Sequence, residues 1–214
     1  MTNSAKPTAQ RATRERIFVE ILRDLEAQRI VPGQRIAEGD LVERFGVSRN
    51  AVREGIQLLS ERGVLDLSPN KSAVIRRFTW EEAEGVMDLC AMLNGLLART
   101  AARNFTPAHA PLFAARLAEA EMALGKSDLE FARARRHFTL ALLDIAQNKE
   151  LRRVFPMAGI AIFNAQFRSQ QINTVQVEVF QRIHVAVTAG NAMAAEKAGR
   201  STIENLRKLI AEFF

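Results

Sequence analysis

The stretch Phe45-Gly46-Val47-Ser48-Arg49 constrains the fold of this chain more than any other. Gly46 supplies the tight turn that ends one helix. Ser48 is suited to cap the next, its hydroxyl accepting an orphan amide hydrogen bond, so that helix begins at Arg49. Val47 and Val52 stand at the two positions of a hydrophobic staple. Upstream, Leu41, Val42 and Phe45 mark the inner side of a helix that starts near Glu38. Downstream, Val52, Ile56 and Leu59 form the buried stripe of its successor. Two amphipathic helices joined by so short a turn read as a helix-turn-helix.

The flanking segments complete a small domain. Residues 1–11, with Thr2, Asn3, Ser4, Pro7 and Thr8, read as a disordered arm. From about Ala12 the apolar residues Ile17, Ile21, Leu22 and Leu25 recur at helical spacing until Val31-Pro32-Gly33 stops them. After the helix-turn-helix the period falls to two. Val64–Leu67 and Ala73–Arg76 flank the turn residues Ser68-Pro69-Asn70-Lys71-Ser72, which predicts a two-stranded hairpin, or wing. From Trp80 onward only helical periods recur, enough for about six helices, with a capping box at Ser127-Asp128-Leu129-Glu130 and a break at Gly190-Asn191. Pro156 is expected to kink a helix or to sit just inside a new one. The expected architecture is mainly α: a winged helix-turn-helix domain over 1–77, then an all-α helical-bundle domain over 80–214.

Charge adds direction to this plan. The chain carries a net charge of +6 with a pI near 10.2, and its basic excess is denser through Phe78 (14 Lys and Arg against 10 Asp and Glu) than after it. Such a balance suits an anionic partner. The single cysteine, Cys90, excludes an internal disulfide, fits a reducing cytoplasm and reads as a small buried hydrophobe. No run of about 20 apolar residues could span a bilayer, so no membrane partner is expected and the protein is placed in the cytoplasm. Paired carboxylates, nucleophile motifs and phosphate loops are missing from the sequence, and an enzyme is not expected. A metabolite-binding protein with a merely structural helix-turn-helix is the weaker alternative.

A helix that enters the major groove of double-stranded DNA needs long cationic or amide side chains at its N-terminal end. Arg49 and Arg53, one turn apart, are the expected base readers, because arginine can bond guanine O6 and N7 together. Ser48 and Asn50 are expected on phosphates, Arg35 joins the DNA-contacting set, and Asn70 and Lys71 place a turn former and a cation at the wing tip. Arg44, Arg62 and Arg76 read as solvated surface charges.

The segments Val31-Pro32-Gly33-Gln34-Arg35-Ile36-Ala37-Glu38 and Phe45-Gly46-Val47-Ser48-Arg49-Asn50-Ala51-Val52-Arg53-Glu54-Gly55-Ile56 resemble the GntR family of bacterial repressors, whose pattern runs PG..L.E..LA..FGVSR.PVREAL. The all-helical remainder is similar to the FadR subgroup, with its FCD-type C-terminal domain. This resemblance implies a bacterial, nucleoid-associated transcription regulator: a homodimer that binds a palindromic operator as an effector-responsive repressor or activator. A helix-2 arginine that often contacts DNA in the family is replaced here by Gly39, so one contact is missing. The usual proline after Ser-Arg is Asn50.

The resemblance also implies a metal site, one Asp and three His in many FCD domains, that this sequence has lost. Aligning on Ala146-Gln147-Asn148 places Arg135 at the Asp and Thr139 at the first His; aligning on Gly190-Asn191 places Phe180 at the second His and Thr202 at the third. His137 then falls about 200° around the helix from the site. No metal or other cofactor is expected. Arg135 is expected to bind an anionic effector bidentately in the ion's stead. Thr139, His184 and Thr202 would add hydrogen bonds and Phe180 an apolar wall, with Asn94 and Arg168 completing the candidate pocket. Two alternatives stay open: Phe180, His184 and Arg168 as ordinary core or surface residues, and a regulator whose altered pocket is filled with side chains and takes no effector.

Overall fold

A computed structural model of the protein describes residues 5–67, 73–155 and 158–214. The chain divides into two compact units, residues 1–77 with 161–166, and residues 78–160 with 167–214.

In the first unit, helices α1 (Ala5–Glu26), α2 (Glu38–Phe45) and α3 (Arg49–Glu61) accompany strands β1 (Arg35–Ile36), β2 (Leu65–Leu67) and β3 (Ala73–Ile75). Helix α1 includes residues 5–11, which were expected as a disordered arm. Pro7 does not prevent this, since it sits in the first turn, where a backbone amide has no intrahelical acceptor to lose. Ile17, Ile21 and Leu25 bury the inner face of α1. Ile17 lies so close to α3 that a Cβ added at Gly55 would stand 2.8 Å from its Cδ1.

The wing is part of a three-stranded sheet, ordered β1-β3-β2, rather than a lone hairpin. Arg35 pairs with Val74, and Leu65 with Ile75, both antiparallel. The extra strand has two residues, too short to show a period of its own. It is extended by paired backbone bonds from the Gly33 amide to the Ile75 carbonyl and from the Ile75 amide to the Gln34 carbonyl, each 2.8 Å. The expected tip residues Asn70 and Lys71 lie outside the described residues.

Two arginines expected as solvated charges are structural. Arg44 bonds the carboxylate of Asp24, which is wholly buried, and that bond raises the Arg44 pKa above its ordinary value. Arg29 reaches the same carboxylate at 2.7 Å. Arg62 bonds both oxygens of Glu15, at 2.8 and 3.1 Å, while its guanidinium lies 4.4 Å from the centre of the Phe18 ring. Sequence spacing could not reveal these pairs, whose members stand 20 and 47 residues apart.

The second unit is helical throughout its described residues. It comprises α4 (Trp80–Asn104), a 3-10 turn at Pro107–His109, α5 (Ala110–Met122), α6 (Asp128–Ala146), α7 (Lys149–Val154), the start of α8 (Ala158–Gln166), α9 (Gln170–Thr188), α10 (Ala192–Arg200) and α11 (Thr202–Ala211). The excess over six helices comes from the short α7 and from the division of the last segment at Ser201. Pro156 lies outside the described residues. Reciprocal capping boxes start α4 (Thr79 with Glu82) and α6 (Ser127 with Glu130). The Asn104 amide donates to the Ala146 carbonyl at 2.7 Å and closes the C-terminal end of α6. Leu97, Phe113, Phe138, Leu142, Val179 and Ile183 form the centre of the core.

The closest approach in this unit is between α4 and α10. A Cβ at Gly199 would stand 2.6 Å from the Asn94 carbonyl oxygen and 2.9 Å from the Gly95 Cα. At Gly95 it would meet the Arg200 side chain at 2.7 Å and the Glu196 carbonyl oxygen at 3.3 Å. Backbone here packs on backbone, and only hydrogen fits between. Glu196 flanks the crossing, bonding Arg99 at 3.0 Å and Arg200 at 2.9 Å.

Gly199→Ala is therefore expected to lose about 3 kcal/mol of stability through overpacking against an unyielding backbone. Gly85→Ala, on the same α4 but with nothing within 4 Å of its added Cβ, should gain up to about 1 kcal/mol from helix propensity. Urea unfolding of the two variants checks the contrast.

Candidate nucleic-acid interface and effector site

Helix α3 is set by its own start. Ser48 is extended, and its Oγ accepts from the Ala51 amide at 3.3 Å, as the sequence leads one to expect. Val52, Ile56 and Leu59 face inward. The opposite side presents Arg49, Asn50, Arg53 and Gln57, all exposed, and the first turn holds no acidic residue. A helix N-terminus free of carboxylates offers backbone amides and a favourable dipole to phosphate. Arg49 has no hydrogen-bond partner among the described residues, whereas the Arg53 Nε donates to both oxygens of Glu38, at 3.2 and 3.1 Å. Arg35 is exposed on β1, and Gly39, exposed on α2, has nothing within 4 Å of the Cβ it lacks. Sequence reasoning singled out Arg53 but missed Glu38, whose 15-residue separation follows no helical period.

In the second unit the candidate effector residues fall into separate settings. Phe180 stacks on Phe138 with ring centres 4.3 Å apart. Phe138 stacks on Phe113 at 5.2 Å, and Phe113 lies 4.7 Å from the ring of His184. The structure thus joins Phe180 and His184 through two fully buried phenylalanines of α5 and α6. Thr139, beside Phe138, donates its hydroxyl to the Arg135 carbonyl at 3.1 Å, so it can offer a ligand an acceptor lone pair but no free proton. Arg135 and Arg168 are half-buried. Asn94 belongs to the α4–α10 crossing, where its carbonyl meets Gly199, and its side chain makes no hydrogen bond among the described residues. The Thr202 side chain lies outside the described residues.

A divalent ion does not fit this set. At the aligned positions stand an arginine, two threonines and a phenylalanine, none with the imidazole or carboxylate chemistry that such an ion takes. Phe180 is committed to its ring stack. Among the described residues no three His, Cys, Asp or Glu gather as a ligand set. His137 Nδ1 lies 2.8 Å from the Glu119 carboxylate, which Arg116 also bonds at 2.8 Å. Burial pushes the Glu119 pKa upward, but these two bonds outweigh it and hold the group below its ordinary value.

Four buried side-chain atoms of the helical unit lack a hydrogen-bond partner among the described residues, two of them the Nε of Arg99 and of Arg207. Gln176, buried on α9, has an Oε1 without a partner among the described residues, and so has the Nε2 of His184. Burial pushes the His184 pKa down, against a smaller opposing pull from Glu121. The half-buried Cys90 thiol is pushed by burial up to about 12, so it stays protonated and unreactive at neutral pH.

A winged helix-turn-helix with an exposed, basic second helix, followed by a helical domain, defines a DNA-binding transcription regulator. The chain belongs to the gntR family of bacterial regulatory proteins: that family's pattern matches residues 13–75, and the FCD-domain pattern matches residues 85–211. It is similar to the HTH-type transcriptional regulator LutR of Bacillus subtilis, at 26% identity over 198 residues, which cover 81% of this chain and 90% of LutR. It is also similar to the uncharacterized regulator YdhC of the same species, at 28% identity over 123 residues, 56% of this chain and about half (55%) of YdhC. Among solved structures, Escherichia coli McbR/YncC shares the fold with a TM-score of 0.78 at 16% identity, covering 94% of this chain and 99% of that one. A GntR regulator from Rhodococcus sp. RHA1 does so with a TM-score of 0.75 at 21% identity, covering 95% and 99%. Among the described residues no helix is long and apolar enough to cross a membrane.

The half-buried His184 has a consequence for stability. With its folded pKa depressed, the unfolded chain binds a proton that the folded one refuses, so stability is present above the ordinary value of 6.5 and falls as the pH drops below it. Urea midpoints at about pH 7.5 and about pH 5.5 should show this loss, and His184→Gln should show a smaller one.

Proposed function

We propose that the protein is a homodimeric, effector-responsive repressor that binds a palindromic operator in the cytoplasm of a bacterium. The observation that carries the DNA-reading part is the outer face of α3, where Arg49 and Arg53 stand exposed one turn apart behind an acid-free first turn. Arg49 and Arg53 read base edges in the major groove. Asn50, Arg35 and the Ser48 hydroxyl, which keeps its proton while capping α3, hold phosphates. Asn70 and Lys71 bring the wing to the minor groove or backbone. A two-fold symmetric dimer presents two such helices to successive major grooves, which calls for a palindrome.

The helical domain binds a small organic anion without a metal. Arg135 holds its carboxylate or phosphate, Arg168 adds a second cation, Thr202, His184 and Asn94 supply polar contacts beside the Phe180 wall, and Thr139 accepts from a hydroxyl of the ligand. The unpartnered His184 Nε2 supports this reading, because a buried ring nitrogen without a partner is a ready acceptor or donor for a ligand. The continuous Phe113–Phe138–Phe180 stack favours a second reading, in which the space is filled and the regulator needs no effector.

Arg49→Ala and Arg53→Ala should each weaken binding to an operator selected from random duplexes by about 1 to 3 kcal/mol. Lys71→Ala should instead weaken all sequences alike and flatten the salt dependence. Unchanged operator affinity in the two arginine variants would refute the contacts. A thermal-shift screen of carboxylates and phosphorylated metabolites separates the two effector readings. At a hundredfold excess over Kd a true effector adds about 2.7 kcal/mol, abolished by Arg135→Leu and indifferent to EDTA. No shift with any anion supports the filled pocket.

A further inference from the structure

We infer that Glu38 is a positioning residue for base recognition, holding Arg53 so that only the outer end of its guanidinium is offered to DNA; this rests on the base-reading role proposed for α3. Glu38 is the first residue of α2, and Arg53 lies in the second turn of α3. The Nε–H of Arg53 is shared between the two Glu38 oxygens at 3.2 and 3.1 Å, and Arg53 has no other partner among the described residues. A guanidinium has five N–H donors in one plane. The carboxylate occupies the donor on Nε and leaves the four on Nη1 and Nη2 at the far end.

That division selects a mode of reading. An untethered arginine can meet guanine O6 and N7 end-on through its two Nη atoms, or side-on through Nε and one Nη. With Nε engaged, only the end-on approach remains, and part of the side chain's rotational freedom is given up before DNA arrives. The pair is not needed for stability, since both side chains are substantially exposed, at 61% for Arg53 and 39% for Glu38, and ion pairs so open contribute little. A carboxylate on the DNA-facing side has a second effect, repelling phosphates and lowering affinity for any sequence. Glu38 therefore weakens non-specific binding while sharpening specific binding, a combination that a merely structural residue would not produce.

The test uses full-length protein, a duplex selected by the wild type from a randomised pool, and the unselected pool as non-specific DNA. Dissociation constants for both are measured for wild type, Glu38→Ala, Glu38→Gln, Arg53→Ala and the Glu38→Ala/Arg53→Ala double variant. Glu38→Ala is expected to bind the pool more tightly and to lower the selected-to-pool ratio roughly 5- to 50-fold, within the range set by one bidentate base contact. Glu38→Gln, which keeps an acceptor for Nε, should recover part of that ratio. In the Arg53→Ala background, loss of Glu38 should leave the ratio unchanged. The inference is overturned if Glu38→Ala keeps the wild-type ratio, or if it lowers the ratio equally without Arg53, while Arg53→Ala alone still loses selectivity. If Arg53→Ala itself keeps the wild-type ratio, or no duplex can be selected, the base-reading role fails and the positioning role with it.

Discussion

Asp24 is the point on which the DNA-binding unit is built. A carboxylate taken wholly out of water is tolerated only where opposite charge and hydrogen bonds replace what water gave. Arg29, just beyond α1, and Arg44, in the last turn of α2, supply both. Because one carboxylate serves two arginines from different segments, the end of α1 and the end of α2 are fixed to each other. Arg16 adds a bond from α1 to the Phe45 carbonyl at 2.8 Å, closing α2 just before the Gly46 turn. Ile17, packed into the space at Gly55, references α3 to the same helix. The direction in which Arg49 and Arg53 project is thus inherited from α1, a helix that carries none of the proposed base contacts.

Much of this was legible because it is local. The Gly46 turn, the Ser48 cap, the buried stripe of α3 and the capping box at Ser127 and Glu130 depend on residues within a few positions of each other, and the equally local box of Thr79 with Glu82 went unread. What escaped was pairing over distance. Arg44 and Arg62 look like surface charges until folding brings Asp24 and Glu15 to them, and Glu38 looks like an ordinary first-turn acid until α3 turns Arg53 toward it. The strand β1 escaped for a different reason: two residues hold no period, and it exists only because β3 offers an edge. Residues 5–11 looked like an arm on composition, but composition is a weak guide where a proline can occupy a first turn without loss.

The helical unit shows the same contrast within one site. Arg135, Thr139 and Phe180 could be placed by the family resemblance, but the consequence of a phenylalanine at 180 is a three-ring stack whose members come from α5, α6 and α9. That stack fixes three helices through rigid, flat surfaces. His184 extends it by a polar ring, and Gln176 adds a second polar group on the same helix, so α9 carries two buried polar atoms without a hydrogen-bond partner among the described residues beside this aromatic stack. Sequence period marked α9 as an apolar helix and had no means to separate a satisfied glutamine from an unsatisfied one.

The backbone contact at Gly95 and Gly199 governs how this domain can move. Helices separated by side chains can slip past one another as rotamers change, because the layer between them deforms. Where two main chains touch there is no such layer, and any displacement of α4 is handed on to α10 without loss. The pair behaves as a single rigid lever, stiffened by the Arg99–Glu196–Arg200 bonds along its flank. Shape change in the helical unit must therefore be sought around this lever, in the seating of α5, α6 and α9 upon it, and not within it.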